Sequence, residues 1–154
     1  MIKRFLNWVF RMEDLTPQKD GSYLIRWTLF RWFGGRALYL HKIMQTDWAR
    51  EPHDHPKKFT SIGLKGGYIE EIYKIKSFPN GENSLVLDEE RVWDAPWVRT
   101  FPGTRIHRLR VIDSTRPTWT MVWVGKTEQQ WGFFDKNGRK FSVEAAIQRY
   151  GWKS

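Results

Sequence analysis

The sequence contains no cysteine among its 154 residues, and this absence excludes several kinds of site. Without thiols the chain forms no disulfide framework, no thiol nucleophile and no cysteine-ligated zinc or iron–sulfur centre. It also lacks an apolar run that approaches the roughly 20 residues needed to span a bilayer. Near the amino terminus, polar and charged residues interrupt the apolar stretch that a secretion signal needs. We therefore expect a cytoplasmic protein without a transmembrane segment.

Acidic residues are few in comparison with basic ones. The chain has 26 Lys and Arg against 17 Asp and Glu, a formal net charge of +9. This balance favours an anionic partner such as a nucleotide, a sugar phosphate or another small anionic ligand. The basic residues are scattered, however, and no nucleic-acid-binding module signature is present, so the pattern disfavours dedicated nucleic-acid binding. A basic surface that only confers solubility is the alternative.

Aromatic residues, by contrast, are abundant at 16% of the chain, and such a composition excludes disorder. The central part contains short segments rich in β-branched and aromatic residues, and Gly, Pro and Asn turns separate them. These segments cover residues 23–30, 37–44, 58–64, 68–76, 84–87, 98–101, 105–112 and 118–124. Their number and spacing predict an all-β fold, either a closed barrel or a double sheet.

Helical patterns occur only at the two ends of the chain. One apolar stripe predicts a helix over residues 2–12, and Ser142 is placed to cap a second helix over residues 142–150. No repeat or linker interrupts the sequence, so we predict a single domain over residues 1–154 with the barrel at about 22–134. The amino-terminal stripe suits a homodimer contact, and binding to a membrane surface is the alternative.

Three of the four histidines form the pattern with the clearest chemical meaning. His53 and His55 flank Asp54, and side chains at i and i+2 of an extended strand point to the same face. His107 comes after the Pro102-Gly103 turn, at an interval that fits its arrival on another strand of the same barrel. Neutral imidazoles suit Fe, Zn, Mn or Ni, so we predict that these three histidines bind one divalent metal ion.

These residues resemble the two short sequence motifs of the cupin superfamily. His53-x-His55 and Gly66-Gly67 correspond to the first motif, and the segment from Pro102 to His107 corresponds to the second. The resemblance covers residues 38–124 and implies a jelly-roll β-barrel that holds a divalent metal ion inside. A closer similarity, to uncharacterised cupin-like proteins of bacteria and phages, rests on residues 40–42, 53–56, 66–71 and 131–133.

The sequence departs from the cupin pattern where a carboxylate ligand of the metal usually stands, because Thr60 occupies that position. Glu71 is a candidate to complete the site as fourth ligand or general base, since it lies on the more apolar face of segment 68–76 and a carboxylate inside a barrel must be paired or bind metal. A Glu71 at the rim, paired with an arginine, is the alternative. His41 is a candidate as fourth ligand, as a base beside the metal, or as a hydrogen-bonded core residue.

Three further residues are candidates for binding the ligand. Arg105 shares the face of His107 and could reach a carboxylate or phosphate with its planar fork, while Tyr68 and Trp131 could line the mouth and stack on a ring. The predicted function is a metal-binding cupin that acts on a small anionic metabolite, by dioxygenase, isomerase, epimerase or hydrolase chemistry. The alternative is a non-enzymatic protein that binds or sequesters a nucleotide or another small anion. That alternative gains if neither Glu71 nor His41 faces the cavity.

Overall fold

Antiparallel β-strands make up most of the computed structural model, which describes residues 12–14, 23–46, 51–113 and 115–150. The strands are β1 (Met12–Asp14), β2 (Leu24–Arg31), β3 (Ala37–Ile43), β4 (Lys57–Lys65), β5 (Gly67–Ser77), β6 (Asn83–Asp94), β7 (Trp97–Phe101), β8 (Ile106–Val111), β9 (Thr118–Thr127), β10 (Gly132–Phe134) and β11 (Lys140–Ser142). A short 3-10 helix spans Phe33–Gly35 and an α-helix, α1, spans Val143–Tyr150. Strands β2 to β9 overlap the eight predicted segments, so the all-β prediction is confirmed, but β6 extends well beyond its predicted segment 84–87.

Two sheets enclose the interior. The larger sheet has the order β1-β2-β3-β9-β4-β7, and the smaller one has the order β6-β5-β8. Strands β10 and β11 form a separate hairpin. Every pairing is antiparallel, and many of the neighbouring strands are distant in sequence, so the two sheets hold together parts of the chain far apart in sequence.

The register of the larger sheet places polar side chains in rows on its inner face. Residues directly opposite each other on neighbouring strands share a face. One inner row therefore consists of Arg26, His41, Thr120, Gly63 and Trp97. The next inner row consists of Thr28, Tyr39, Val122, Ser61 and Arg99. Charged and ionisable side chains therefore face the space between the two sheets.

Apolar packing secures this interior at two places. Leu24, Ile43, Tyr68 and Trp97 form one buried cluster between the sheets. A second cluster, built on Phe133 and Ala146, seats α1 against the β10–β11 hairpin. No helix in the part of the chain that the structure describes is long and apolar enough to cross a bilayer.

Of the two predicted terminal helices, the carboxy-terminal one is confirmed, and the amino-terminal one lies almost entirely outside the described residues. The carboxy-terminal helix is present, and the Oγ of Ser142 accepts a hydrogen bond from the backbone N–H of Ala145 at 3.2 Å, as an N-cap should. Of the predicted amino-terminal helix, residues 2–11 lie outside the described residues, and Met12 belongs to strand β1 rather than to a helix.

Substitution of Gly63 by alanine tests the packing between β4 and β7. A Cβ atom at this position would lie 2.2 Å from Cδ2 of the buried Trp97 indole, so the ring and the strand would have to move apart. We expect Gly63→Ala to lower the free energy of unfolding by about 1–3 kcal/mol, as overpacked cores do, in a urea titration. Lys65→Ala, an exposed substitution on the same strand, should stay within about 0.5 kcal/mol of wild type. Equal losses in both variants would contradict this account.

Candidate metal centre

A short extended segment carries two of the histidines across the end of β8. His53 exchanges two backbone hydrogen bonds with His107, both at 2.9 Å, and it also pairs with Phe133 of β10. The N–H of His55 donates to the carbonyl of Gly103 at 2.8 Å. A Cβ atom at Gly103 would lie 2.7 Å from the carbonyl oxygen of His55, so this close approach requires glycine in the turn. The backbones of the three histidines are therefore fixed relative to one another.

Asp54 points away from the two histidines that flank it, as i, i+2 alternation requires. Its buried carboxylate accepts hydrogen bonds from the backbone N–H of Gly132 and from Nε2 of Gln129, both at 2.9 Å. It also forms an ion pair with Lys140. These contacts anchor the segment from behind and hold both imidazoles toward the interior.

The three imidazoles of His53, His55 and His107 converge on one point. One nitrogen of each ring lies within 4.8 Å of the others, and the Nε2 atoms of His55 and His107 are 2.7 Å apart. Burial lowers the pKa of His53 to about 3, with a further contribution from the charge of His107. Burial and the neighbouring histidines hold the pKa of His55 well below its usual range. Two of the rings are therefore neutral at physiological pH, the form that binds a metal ion.

A buried carboxylate lies directly behind this group. Oε1 of Glu70 is 2.7 Å from Nδ1 of His107, and Glu70 has no exposed surface. An Nδ1–H directed at this carboxylate leaves the Nε2 lone pair of His107 directed at the other two rings. Metal-binding histidines commonly have such a carboxylate partner, which orients the ring and raises its basicity. The donor set therefore fits a divalent transition metal.

Glu70 belongs to a larger polar network. Nε1 of Trp93 donates to its carboxylate at 3.0 Å, and Arg99 forms a buried ion pair with it. Burial by itself would raise the pKa of Glu70, but the hydrogen bond and charge of His107, together with Arg99 and Trp93, lower it to about 2. Arg105 lies 3.6 Å from the same carboxylate. Glu70 therefore stays ionised inside the barrel.

The prediction that Glu71 faces the metal is wrong. Glu71 lies on the outer face of β5, where it accepts hydrogen bonds from the hydroxyl of Tyr73 at 3.0 Å and from Nε of Arg110 at 3.2 Å. The alternative, a carboxylate paired with an arginine, describes it correctly. The error arose because Ile69 and Tyr73, which share the face of Glu71, lie on the outer face of β5, whereas Tyr68 and Glu70 face inward. The alternation of Tyr68 with Glu70 is the sequence signal that could have identified the inner carboxylate.

A cavity of about 480 Å³ adjoins the three histidines, and His41 lines it. The Nε2 atom of His41 is buried and has no hydrogen-bond partner within the described ranges. Burial, together with the charge of Arg26, lowers the pKa of His41 to about 3. His41 is not a member of the group whose donor atoms lie within 4.8 Å of one another. His41 thus faces the cavity but lies outside the group of three converging histidines.

The three residues predicted to bind the ligand have separate outcomes. Trp131 lines the cavity with 42% of its surface exposed, and its ring lies 6.4 Å from that of His53. Tyr68 also lines the cavity, but it is 3% exposed and its hydroxyl accepts a hydrogen bond from Arg99, so it lies deep inside rather than at the mouth. Arg105 does not line the cavity, because its guanidinium lies beside Glu70 and over the ring of Phe101.

The cations that do line the cavity are Arg26, Lys57 and Arg99. None of them was among the three residues predicted to bind the ligand, because their approach to the cavity depends on strand pairing. Arg26 lies directly opposite His41, for example, only because of the register between β2 and β3.

No protein-family model and no curated protein matches the chain. Solved structures match its fold. An RmlC-like cupin protein of Ralstonia eutropha JMP134 has a TM-score of 0.56 and 10% identity, over 94% of this chain and 85% of that one. A cupin-2 domain protein of Rhodospirillum rubrum has a TM-score of 0.55 and 13% identity, over 91% and 79%. The Fe(II) form of HppE has a TM-score of 0.51 and 9% identity; the match covers 75% of this chain and 57% of that one.

These likenesses show the fold. The chain has the jelly-roll barrel of the cupin superfamily, so the architecture that its histidine motifs predict is confirmed. With respect to HppE, the chain spans little more than half of the matched protein's length.

Substitution of Glu70 by glutamine tests whether the buried network stabilises the barrel. The amide keeps the shape of the side chain but leaves Arg99 buried without a counter-charge. We expect Glu70→Gln to lower the free energy of unfolding by about 3–5 kcal/mol in a urea titration, the usual cost of breaking a buried ion pair. Glu71→Gln is the matched control, since its partner Arg110 is solvent-accessible, and it should cost at most about 1 kcal/mol. Similar small losses in both variants would show that the network does not have this role.

Proposed function

We propose that this cupin-fold barrel binds one divalent transition-metal ion through His53, His55 and His107 and acts on a small anionic metabolite in the adjoining cavity. The convergence of three ring nitrogens on one point beside the cavity carries the proposal. Fe, Zn, Mn or Ni suits such a donor set, and three protein ligands leave positions for a ligand or water. When bound, the ion supplies Lewis-acid polarisation or, in the case of Fe(II), reactivity toward oxygen.

The residues around the histidines have distinct roles in this proposal. Glu70 accepts the Nδ1–H of His107 and so keeps the opposite nitrogen unprotonated and correctly aimed. Aromatic and aliphatic side chains form most of the remaining wall, which limits access of water to the site. The cations of the cavity favour an anionic metabolite.

His41 is a residue of the cavity that can contact a bound molecule without losing an existing hydrogen bond of its Nε2 atom. This buried Nε2 makes no hydrogen bond within the described residues. Burial of such a nitrogen without a partner costs free energy, and a hydrogen bond to a bound molecule would recover it. We assign His41 the role of general base, in proton transfer to or from the metabolite.

Metal content is the direct test of this function. We expect untagged protein to contain about one equivalent of Fe, Zn, Mn or Ni per chain by elemental mass spectrometry, and the His53→Ala/His55→Ala variant to contain almost none, because a structural or catalytic ion needs at least three protein ligands. Glu71→Gln, which alters a carboxylate on the outer face, should retain the wild-type content. Absence of metal from wild-type protein, even after reconstitution with each ion, would refute the proposal.

A variant of His41 separates a base from a ligand. His41→Gln removes the imidazole but leaves the three converging nitrogens in place, so we expect the affinity for Zn²⁺ to stay within about threefold of wild type, a small change beside the loss of a ligand. Competition with a chromophoric chelator measures this affinity, and His53→Ala in the same assay provides the comparison. If His41→Gln weakens Zn²⁺ binding as much as His53→Ala does, His41 is a ligand and the assignment as a base is wrong.

A further inference from the structure

Three cations lie together on the inner side of the larger sheet. They are Arg26, Arg31 and Lys57, and we call them the cation cluster. Arg26 and Lys57 line the cavity that the four histidines also line. Both Nε and Nη2 of Arg26 donate to one carboxylate oxygen of Glu13 on β1, with Nε at 2.9 Å. Nη2 of Arg31 lies 3.8 Å from the other oxygen of Glu13.

The charge of this cluster exceeds that of its partner. Among the described residues, Glu13 is the only carboxylate in an ion pair with the cluster, and Lys57 has none. The ammonium group of Lys57 donates to the backbone carbonyl of Gly35. Nε of Arg31 is buried and has no hydrogen-bond partner in the same part of the chain. Within the described residues, three cations therefore share one carboxylate, and Nε of Arg31 is a donor without a hydrogen bond.

The remaining cation of the cavity is different. Arg99 is balanced by the fully buried carboxylate of Glu70, and its second terminal nitrogen donates to the hydroxyl of Tyr68. The charge of Arg99 is thus already compensated, although its Nε also has no hydrogen-bond partner in the described part of the chain. The cation cluster, in contrast, has one carboxylate partner for three cations within the described residues. That partner, Glu13, already occupies the cluster in the way that a carboxylate ligand would.

The rest of the cavity wall indicates what the anion is attached to. Phe59, Phe101, Leu109, Val122, Val124 and Phe133 are among the side chains that line it. Such a wall suits an aliphatic or aromatic body and offers few partners to the hydroxyl groups of a sugar. The wall therefore favours an organic acid over a nucleotide or a sugar phosphate.

We propose that Arg26, Arg31 and Lys57 bind the carboxylate of an organic acid whose apolar body lies in the cavity, and that this carboxylate competes with Glu13 for the cluster. The arginine forks match the planar geometry of a carboxylate, and Glu13 shows that the cluster accepts one. This inference deepens the proposed function and rests on it in one respect, namely that the acid lies in the cavity beside the histidines.

Binding of benzoate to metal-free protein, measured by isothermal titration calorimetry, tests the inference. We expect wild type to bind benzoate at millimolar concentration or below and to bind benzamide, its uncharged isostere, at least about tenfold more weakly, since a charge-assisted hydrogen bond contributes a factor of that size. Equal affinity for benzoate and benzamide, or binding of neither, would overturn the inference. Tighter binding of phenylphosphate than of benzoate would overturn the assignment to a carboxylate.

Variants locate the anion on the cluster. Lys57→Met and Arg31→Met should each weaken benzoate binding by about tenfold, and Glu13→Gln should strengthen it because the internal competitor loses its charge. Lys42→Met is the control, because it removes one positive charge as Lys57→Met does, but Lys42 lies over Trp119 on the outer face of the sheet. The affinity of this variant for benzoate should equal that of wild type. Thermal unfolding of each variant verifies that it folds. Loss of affinity in Lys42→Met equal to that in Lys57→Met would show a non-specific charge effect and overturn the inference.

The His53→Ala/His55→Ala variant keeps the two proposals separate. Because the titrations use metal-free protein, the cation cluster should bind benzoate in this variant as it does in wild type. Benzoate binding without any metal binding would refute the metal centre alone. Metal binding without a preference for benzoate over benzamide would refute the cation cluster alone.

Discussion

The burial of one carboxylate is the constraint on which the rest of this structure depends. An ionised Glu70 with no exposed surface would be very costly inside a protein unless charge and hydrogen bonds offset the loss of water. Its partners come from three other strands: Trp93 of β6, Arg99 of β7 and His107 of β8. Since β7 belongs to the larger sheet and β5, β6 and β8 to the smaller one, this network joins the two sheets across the interior.

The same network sets the geometry of the candidate metal centre. His107 is fixed on one side by Glu70 and on the other by backbone pairing with His53, so the orientation of its ring follows from the fold. Asp54 anchors the neighbouring segment from behind through Gly132 and Gln129. The centre is therefore preorganised by buried polar contacts that a metal ion does not have to create, which lowers the reorganisation that binding requires.

The sequence predicted the strands and the histidine group well because both depend on short-range patterns. Alternation along the chain and turn residues located β2 to β9, and i, i+2 spacing oriented His53 and His55. The prediction that Glu71 faces the metal was wrong because hydrophobic alternation assumes an apolar inner face. The inner face of β5 instead carries Glu70, which contacts Trp93, Arg99 and His107. The cation cluster was not predictable, since the pairing of Arg26 with Glu13 and its position opposite His41 depend on register between strands. Thr60, which occupies the position of the usual cupin carboxylate ligand, forms a side-chain hydrogen bond with Thr100 at 2.6 Å.

The charges of the interior connect the metal centre with the anion. Three imidazoles bring no negative charge to a divalent ion, and the charge of Glu70 is already balanced by Arg99. Within the described residues, the cation cluster has Glu13 as its ion-pair partner and retains positive charge on the same cavity. In a space of low dielectric, positive charges at both places repel each other unless an anion enters. If the two proposals hold, an organic acid supplies that anion, so metal and acid each improve the binding of the other, and by linkage the two effects are equal in free energy.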